Sequence, residues 1–281
     1  MAITYARRQG AKTGKARRGG LPRLIIEVLL LAWVIRSFVF APFYIPSGSM
    51  LPALYIGDYV MVSKWPYGFS RYSFPWGFPS FDGRMFGGLP SRGDIVVFRA
   101  PGTDEDFIKR VIGLPGDTVA VQDGMLILNG RPIPRTQEGT FAMPISANSP
   151  CRVVYGATPM TGRTDDGQPA CLYPAYRETL RGGKSYRVID QVSNPRADQI
   201  APVKVPDGHV FLMGDNRDDS LDSRFSVQEG GIGFVPTENL IGRASFTFWS
   251  TDGTAEYPKP WTWFSALRGD RMFGSYGGQE Q

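Results

Sequence analysis

Three short stretches hold side chains whose types and spacing could do covalent chemistry. The first is Ser47-Gly48-Ser49, a two-hydroxyl turn closed by Pro46 and Pro52. Either serine becomes a nucleophile if a base takes its proton; without a base the turn is only a linker. The second is Phe107-Ile108-Lys109-Arg110-Val111-Ile112. Strand alternation puts Lys109 on one face with Phe107 and Val111, and Arg110 on the other with Ile108 and Ile112. A lysine on a buried apolar face loses hydration, which lowers its pKa and leaves a neutral amine able to act as a base. On spacing alone, a solvated Lys109 beside an inward Arg110 is the stronger reading. The third stretch, Gly214–Phe225, packs four Asp, two Arg, two Ser and one Asn into twelve residues after an apolar run. It is either a solvated acidic loop or one held rigid by charge-assisted pairs, able to offer a hydroxyl to a neutral lysine.

Other chemistries are poorly supplied. His209 is the single histidine and enters the apolar run Val210-Phe211-Leu212-Met213. A Ser–His–acid triad would have to use it, although a packing or hydrogen-bonding role is the commoner one. One His and two separated Cys give no zinc spacing, and Asp215, Asp218, Asp219 and Asp222 lack the EF-hand pattern, so neither metal nor cofactor is expected.

The elements that must position these residues begin with a charge asymmetry. Residues 1–23 carry seven cations, from Arg7 to Arg23, and no acid, whereas the whole chain is only +5. The remainder is therefore slightly acidic, and no nucleic-acid surface is expected on the folded part. From Leu24 to Ile45, eighteen of 22 residues are apolar. That pattern predicts one membrane span, despite Glu27 and Arg36, with the N-terminus cytoplasmic. Everything after about residue 44 then lies outside, where a disulfide between Cys151 and Cys171 is a candidate and two buried thiols are the alternative. Gly 34, Pro 23 and 13% aromatic residues favour many short strands. Residues 131–205 read as polar, loop-rich and inserted. Residues 66–90 crowd aromatic rings among glycines and prolines, either as a self-packed loop or as a surface dipping into the lipid interface. Met50, Trp76 and Phe78 are the candidate interface residues, and Trp261, Trp263 and Phe264 repeat the signal more weakly.

The three reactive stretches, in this order behind an anchor, resemble the type I bacterial signal peptidases. The matching residues are Pro46–Pro52, Gly57-Asp58, Arg92–Phe98, Ile108–Asp117 and Gly214–Arg224. The resemblance overturns the solvated reading of Lys109. It implies Ser49 as nucleophile, Lys109 as general base, and Ser47 with the Ser49 N–H as oxyanion hole. Ser220 would orient Lys109, with Asp222 and Arg224 supporting the loop. Implied partners are preprotein signal peptides with small residues at the first and third positions before the cut, together with the lipid bilayer. A monomer in the bacterial inner membrane is expected. Two departures stand out: Ala53 replaces a common threonine, and residues 226–232 intervene before Gly233-Phe234-Val235-Pro236.

The implied plan is mainly β: an N-terminal transmembrane helix, then an antiparallel β catalytic domain with an inserted β/loop subdomain. Its boundaries are a basic arm at 1–23, the span at 24–43, catalytic parts at 44–130 and 206–258, a cap at 131–205 and an aromatic, basic tail at 259–281. Three other readings stay open. They are a membrane-anchored scaffold without activity, a Ser–His hydrolase using His209, and a self-cleaving Ser–Lys repressor; the 23-residue arm is too short to be the last one's DNA-binding domain.

Overall fold

The computed structural model describes residues 20–256 and 258–276; the basic arm before Gly20 lies outside them. Helix α1 (Gly20–Val34) is apolar apart from Arg23 and Glu27 and buries none of its residues. It continues as a π turn, Ile35–Val39. Among the described residues no helix is long and apolar enough to cross a membrane. Residues 40–43, expected in the span, form a strand instead. Pro42 has no N–H to give a helix, and Phe40–Tyr44 finds an antiparallel partner in Asp58–Ser63.

The strands are β1 (Phe40–Tyr44), β2 (Asp58–Ser63), β3 (Ile95–Arg99), β4 (Asp106–Gly113), β5 (Thr118–Gln122), β6 (Met125–Leu128), β7 (Arg131–Pro132) and β8 (Arg135–Pro144). They continue as β9 (Met160–Arg163), β10 (Pro169–Thr179), β11 (Ser185–Ile189), β12 (Gln199–Lys204), β13 (His209–Met213), β14 (Val235–Pro236) and β15 (Leu240–Ser250). A short helix α2 (Pro195–Asp198) precedes β12, and α3 (Trp261–Ser265) follows β15. The main sheet runs β1-β2-β15-β3-β4-β13-β14. A second joins β11-β10-β8 with β9 on β10, and a third runs β12-β5-β6-β7. All strand pairings are antiparallel.

Alternation decides which faces meet. Val60, Val62, Ile95 and Val97 pack with Met50 and Leu54 of the turn after β1. That packing lays the serine turn across the sheet. Met50 is thus fully buried and is no interface residue: it is the knob that seats the turn in the core. The inserted region is more regular than its polar composition suggested, because β10 alternates buried and part-exposed residues along most of its length and β8 pairs with it. Nor does it stand apart. Ile133, Leu180, Tyr186 and Val188 share one cluster with Ile112, Phe211 and Met213.

The aromatic segment from Trp65 is a series of short 3-10 turns, with Trp76 at 94% and Phe78 at 72% exposure. The extra residues 226–232 make a capped 3-10 turn, Val227–Glu229, and bury Ile232. The C-terminal segment is no free tail. Arg271 donates to the buried Asp58 carboxylate at 2.6 Å, and Phe273 N–H bonds to Thr247 O at 2.7 Å. Cys151 and Cys171 are joined by a disulfide.

The insert is tied to the Gly214–Arg224 loop by buried charge. Arg217 donates to Glu178 of β10, which also accepts from Tyr186 Oη at 2.9 Å. Removing one partner of a buried pair strands the other charge. Arg217→Met is expected to lower unfolding free energy by about 3–5 kcal/mol, read by urea denaturation. A loss below about 1 kcal/mol would show that the pair does not couple insert to loop.

Candidate active site

Lys109 comes from β4 opposite Val96 of β3, and Ser49 from the turn after β1. The Lys109 Nζ lies 2.6 Å from Ser49 Oγ, the amine donating in its charged form. With a neutral amine the same contact runs the other way, the hydroxyl donating to nitrogen. Both residues are buried, at 5% and 7% exposure. Burial pushes the Lys109 amine down to about 8, against the opposing pull of Asp222, Asp215 and Asp219. Ser47 Oγ sits 3.5 Å from Ser49 Oγ. These groups line one cavity of about 590 Å³, with Phe43, Val153 and Ser220 among its walls.

Arg110 is buried as well, on the opposite side of β4. Its guanidinium grips the Asp215 carboxylate through two bonds, of 2.7 and 2.6 Å, and lies over the Tyr186 ring at 4.2 Å. Neither sequence alternative for the Lys-Arg pair is therefore complete. Lysine and arginine both point inward, to different interiors, because the sheet is covered on both faces here.

The Gly214–Arg224 loop is held from within. Gly214 N–H and the Arg224 guanidinium both donate to Asp222, at 2.9 Å each. Burial pushes the Asp222 carboxyl up, but Arg224 and the Gly214 N–H outweigh it and hold it below its usual value. Asn216 N–H bonds to Ser49 O at 3.1 Å, and its side-chain amide to Gly48 O at 3.2 Å. The loop thereby clasps the serine turn. Position 214 needs glycine: a Cβ there would sit 2.3 Å from Ser220 Oγ and 2.5 Å from Ser49 O.

Ser220 is buried beside this contact, and its hydroxyl faces the Asp222 carboxylate, which it helps to hold below its usual value. It lines the cavity without the expected bond to Lys109. Asp222 and Arg224 pair with each other inside the loop at 2.9 Å. His209 pairs with Pro236 at the far end of β13, bonds to Asp207 O at 2.9 Å and does not line the serine cavity. A Ser–His hydrolase has no support here.

Three features escaped the sequence. Lys64 is as buried as Lys109 and is likewise pushed down by burial to about 8, so desolvation alone does not identify a base; the serine 2.6 Å away does. Arg152, beside the disulfide, reaches Asp219 at 3.0 Å across the cavity rim. Asp190, Asp198 and Asp218 gather carboxylate oxygens within 4.8 Å of one another, and Arg135 binds Asp190 there. The last two join insert residues to the loop, and nothing in their local spacing marks them.

The sequence model of the signal peptidase family, peptidase S26, matches residues 20–249. Signal peptidase I of Rickettsia typhi is 36% identical over 233 residues, which cover 80% of this chain and 77% of that protein. That of Rickettsia massiliae is 34% identical over 249 residues, covering 85% and 81%. A crystal structure of a signal peptidase I from Enterococcus faecalis aligns with a TM-score of 0.28 at 23% identity, over 56% of this chain and 98% of that one.

A desolvated lysine costs stability, and the sign is fixed. Lys109 titrates near 8 in the fold against an ordinary 10.5, so folding disfavours its proton. The cost is full below pH 8 and fades as pH rises towards 10.5. Lys109→Met is therefore expected to raise unfolding free energy at pH 7 by up to about 3 kcal/mol. The gain should shrink at pH 10. A variant less stable than wild type at pH 7 would mean that the amine is not desolvated in the native state.

Proposed function

This chain belongs to the signal peptidase family, peptidase S26, serine endopeptidases that cleave signal peptides, and we propose that in it Ser49 and Lys109 carry the reaction. The observation behind this assignment is the 2.6 Å contact of amine and hydroxyl in a site that burial keeps dry. The neutral Lys109 amine takes the Ser49 proton as the hydroxyl oxygen attacks the scissile carbonyl. The oxyanion of the tetrahedral intermediate is met by Ser47 Oγ and the Ser49 N–H, neither of which moves to do so. Lys109 then delivers the proton to the departing amine, and a water attacks the acyl-enzyme by the same base. Ser220, Asp222 and Arg224 position this pair through the loop. They do not touch the reacting atoms.

The substrate is the region of a preprotein just beyond its signal segment, with small residues at the first and third positions before the cut. β1 lies at the edge of the main sheet, and Phe43, Tyr44 and Ile45 border the cavity. An extended peptide can add to that edge as a further strand, leading its carbonyl to Ser49.

Anchorage follows from α1. Its Leu21, Leu24, Ile26, Leu29, Leu30 and Leu31 are all exposed, an apolar surface with no protein to cover it. Glu27, an obstacle to insertion in the sequence, is neutralised by Arg23 at 2.7 Å. In this reading α1 and its π turn are embedded in the inner membrane, the basic arm stays cytoplasmic, and the β domain is extracytoplasmic. The exposed Trp76, Phe78, Trp261, Phe264 and Phe273 then rest at the lipid interface. Ser49 lies ten residues past the π turn, so enzyme and preprotein are confined to one plane, which raises their effective concentration.

Ser49→Ala and Lys109→Arg are each expected to cut preprotein cleavage in detergent by at least about 10³-fold, with the fold retained as read by circular dichroism. Wild-type kcat/KM should climb through pH 8 and level off above it, because only the neutral amine is a base. An active Lys109→Arg enzyme, or a profile flat from pH 6 to 9, would remove Lys109 as the base.

A further inference from the structure

A second cavity, of about 450 Å³, lies between the end of α1 and the β domain. Leu29, Ala32 and Trp33 wall it on the helix side, Phe74 and Trp76 on the side of the aromatic loop. Arg36 and Lys64 also face it, and neither has a carboxylate within ion-pair distance among the described residues.

Lys64 is the anomaly. Five lysines and arginines are fully buried among the described residues: Lys64, Lys109, Arg110, Arg217 and Arg224. Three have a carboxylate and Lys109 has Ser49. Lys64 has one backbone carbonyl, Ser73 O at 2.9 Å, and the face of the Phe43 ring 6.0 Å away, so two of its three N–H groups have no hydrogen-bond acceptor among the described residues. Arg36 is close enough for its charge to push further against the Lys64 proton. Asp106 borders the same cavity and partly offsets that push, but Arg99 holds it at 2.8 Å. The pocket thus combines two unneutralised cations with apolar walls, at the root of an exposed apolar helix. Uncompensated buried charge is costly, and such a site is completed by an anion that brings its own apolar part.

We propose that this cavity is a phospholipid site, in which Lys64 and Arg36 clamp the phosphate of an anionic headgroup of the phosphatidylglycerol kind. The acyl chains then run along Leu29, Ala32 and Trp33. Lysine supplies a buried point charge, and arginine closes over the phosphate as a fork from the rim. The lipid wedges between helix and β domain and fixes the height of β1, and with it the serine turn, above the bilayer. This inference rests on the reading of α1 as membrane-embedded.

The test uses the full-length chain. Flotation with phosphatidylcholine vesicles reads anchorage; native mass spectrometry from detergent reads bound lipid. Wild type is expected to float and to retain one phosphatidylglycerol per chain in preference to phosphatidylcholine. Arg36→Gln, an exposed substitution that leaves the core intact, should weaken retention about tenfold, the worth of one charge-assisted bond. Lys64→Met with Arg36→Gln should abolish the preference, while flotation and cleavage of a short soluble peptide persist. If both variants float and hold phosphatidylglycerol as wild type does, the site is refuted while the anchor stands. If wild type does not float, the anchor reading falls and this proposal with it. Displacement of the lipid by inorganic phosphate alone would refute the lipid and leave a free-anion site.

Discussion

A lysine amine and a serine hydroxyl 2.6 Å apart, both buried, are the contact around which the site is arranged. In water the amine would be charged and useless as a base. Here two opposing influences act on it. Burial drives the proton off, while Asp222, Asp215 and Asp219 hold it on, and burial prevails only down to about 8. The acids cannot simply be absent, because the same carboxylates build the loop that seals the site. What keeps them from winning is their own pairing. Asp215 is claimed by Arg110 and Asp222 by Arg224, so most of their negative charge is spent locally.

That pairing makes the interior behind the site unusually ionic for a small β domain. Arg110–Asp215, Arg217–Glu178 and Arg224–Asp222 are all buried, and Tyr186 bridges two of the pairs through its ring and its hydroxyl. Such arrangements bring little net stability over apolar packing, since desolvation offsets attraction. They do specify geometry. The loop after β13 returns past the serine turn at one position only, where Asn216 bonds to Gly48 O and Ser49 O and Gly214 leaves no room for a side chain.

The two desolvated lysines form a pair by contrast. Lys109 meets a hydroxyl, Lys64 a carbonyl and the face of an aromatic ring. Both lie on the β domain's inner surfaces, one at the catalytic cavity and one at the root of α1. In both places a cationic side chain sits behind apolar walls.

Much of this was legible in the chain itself. Short apolar runs broken by glycine and proline gave the antiparallel β class, and Ser49, Lys109 and the Gly214–Arg224 loop could be named from a combination of motifs. The side chains' destinations could not. Met50 looked like a membrane contact because it follows an exposed-looking turn, and only the packing of Val60, Val62 and Ile95 against it puts it in the core. Residues 40–43 continued the apolar run and looked helical, until pairing with β2 claimed them. The insert read as loops because its Glu178 and Tyr186 meet partners outside it, Arg217 and Arg110, far along the chain. Sequence fixes which groups are available and the period on which they face inward, since these follow from local sterics and hydrophobicity. Tertiary structure alone decides which amine loses its water and which carboxylate meets which cation, because desolvation and Coulomb energy depend on neighbours brought together from distant parts of the chain.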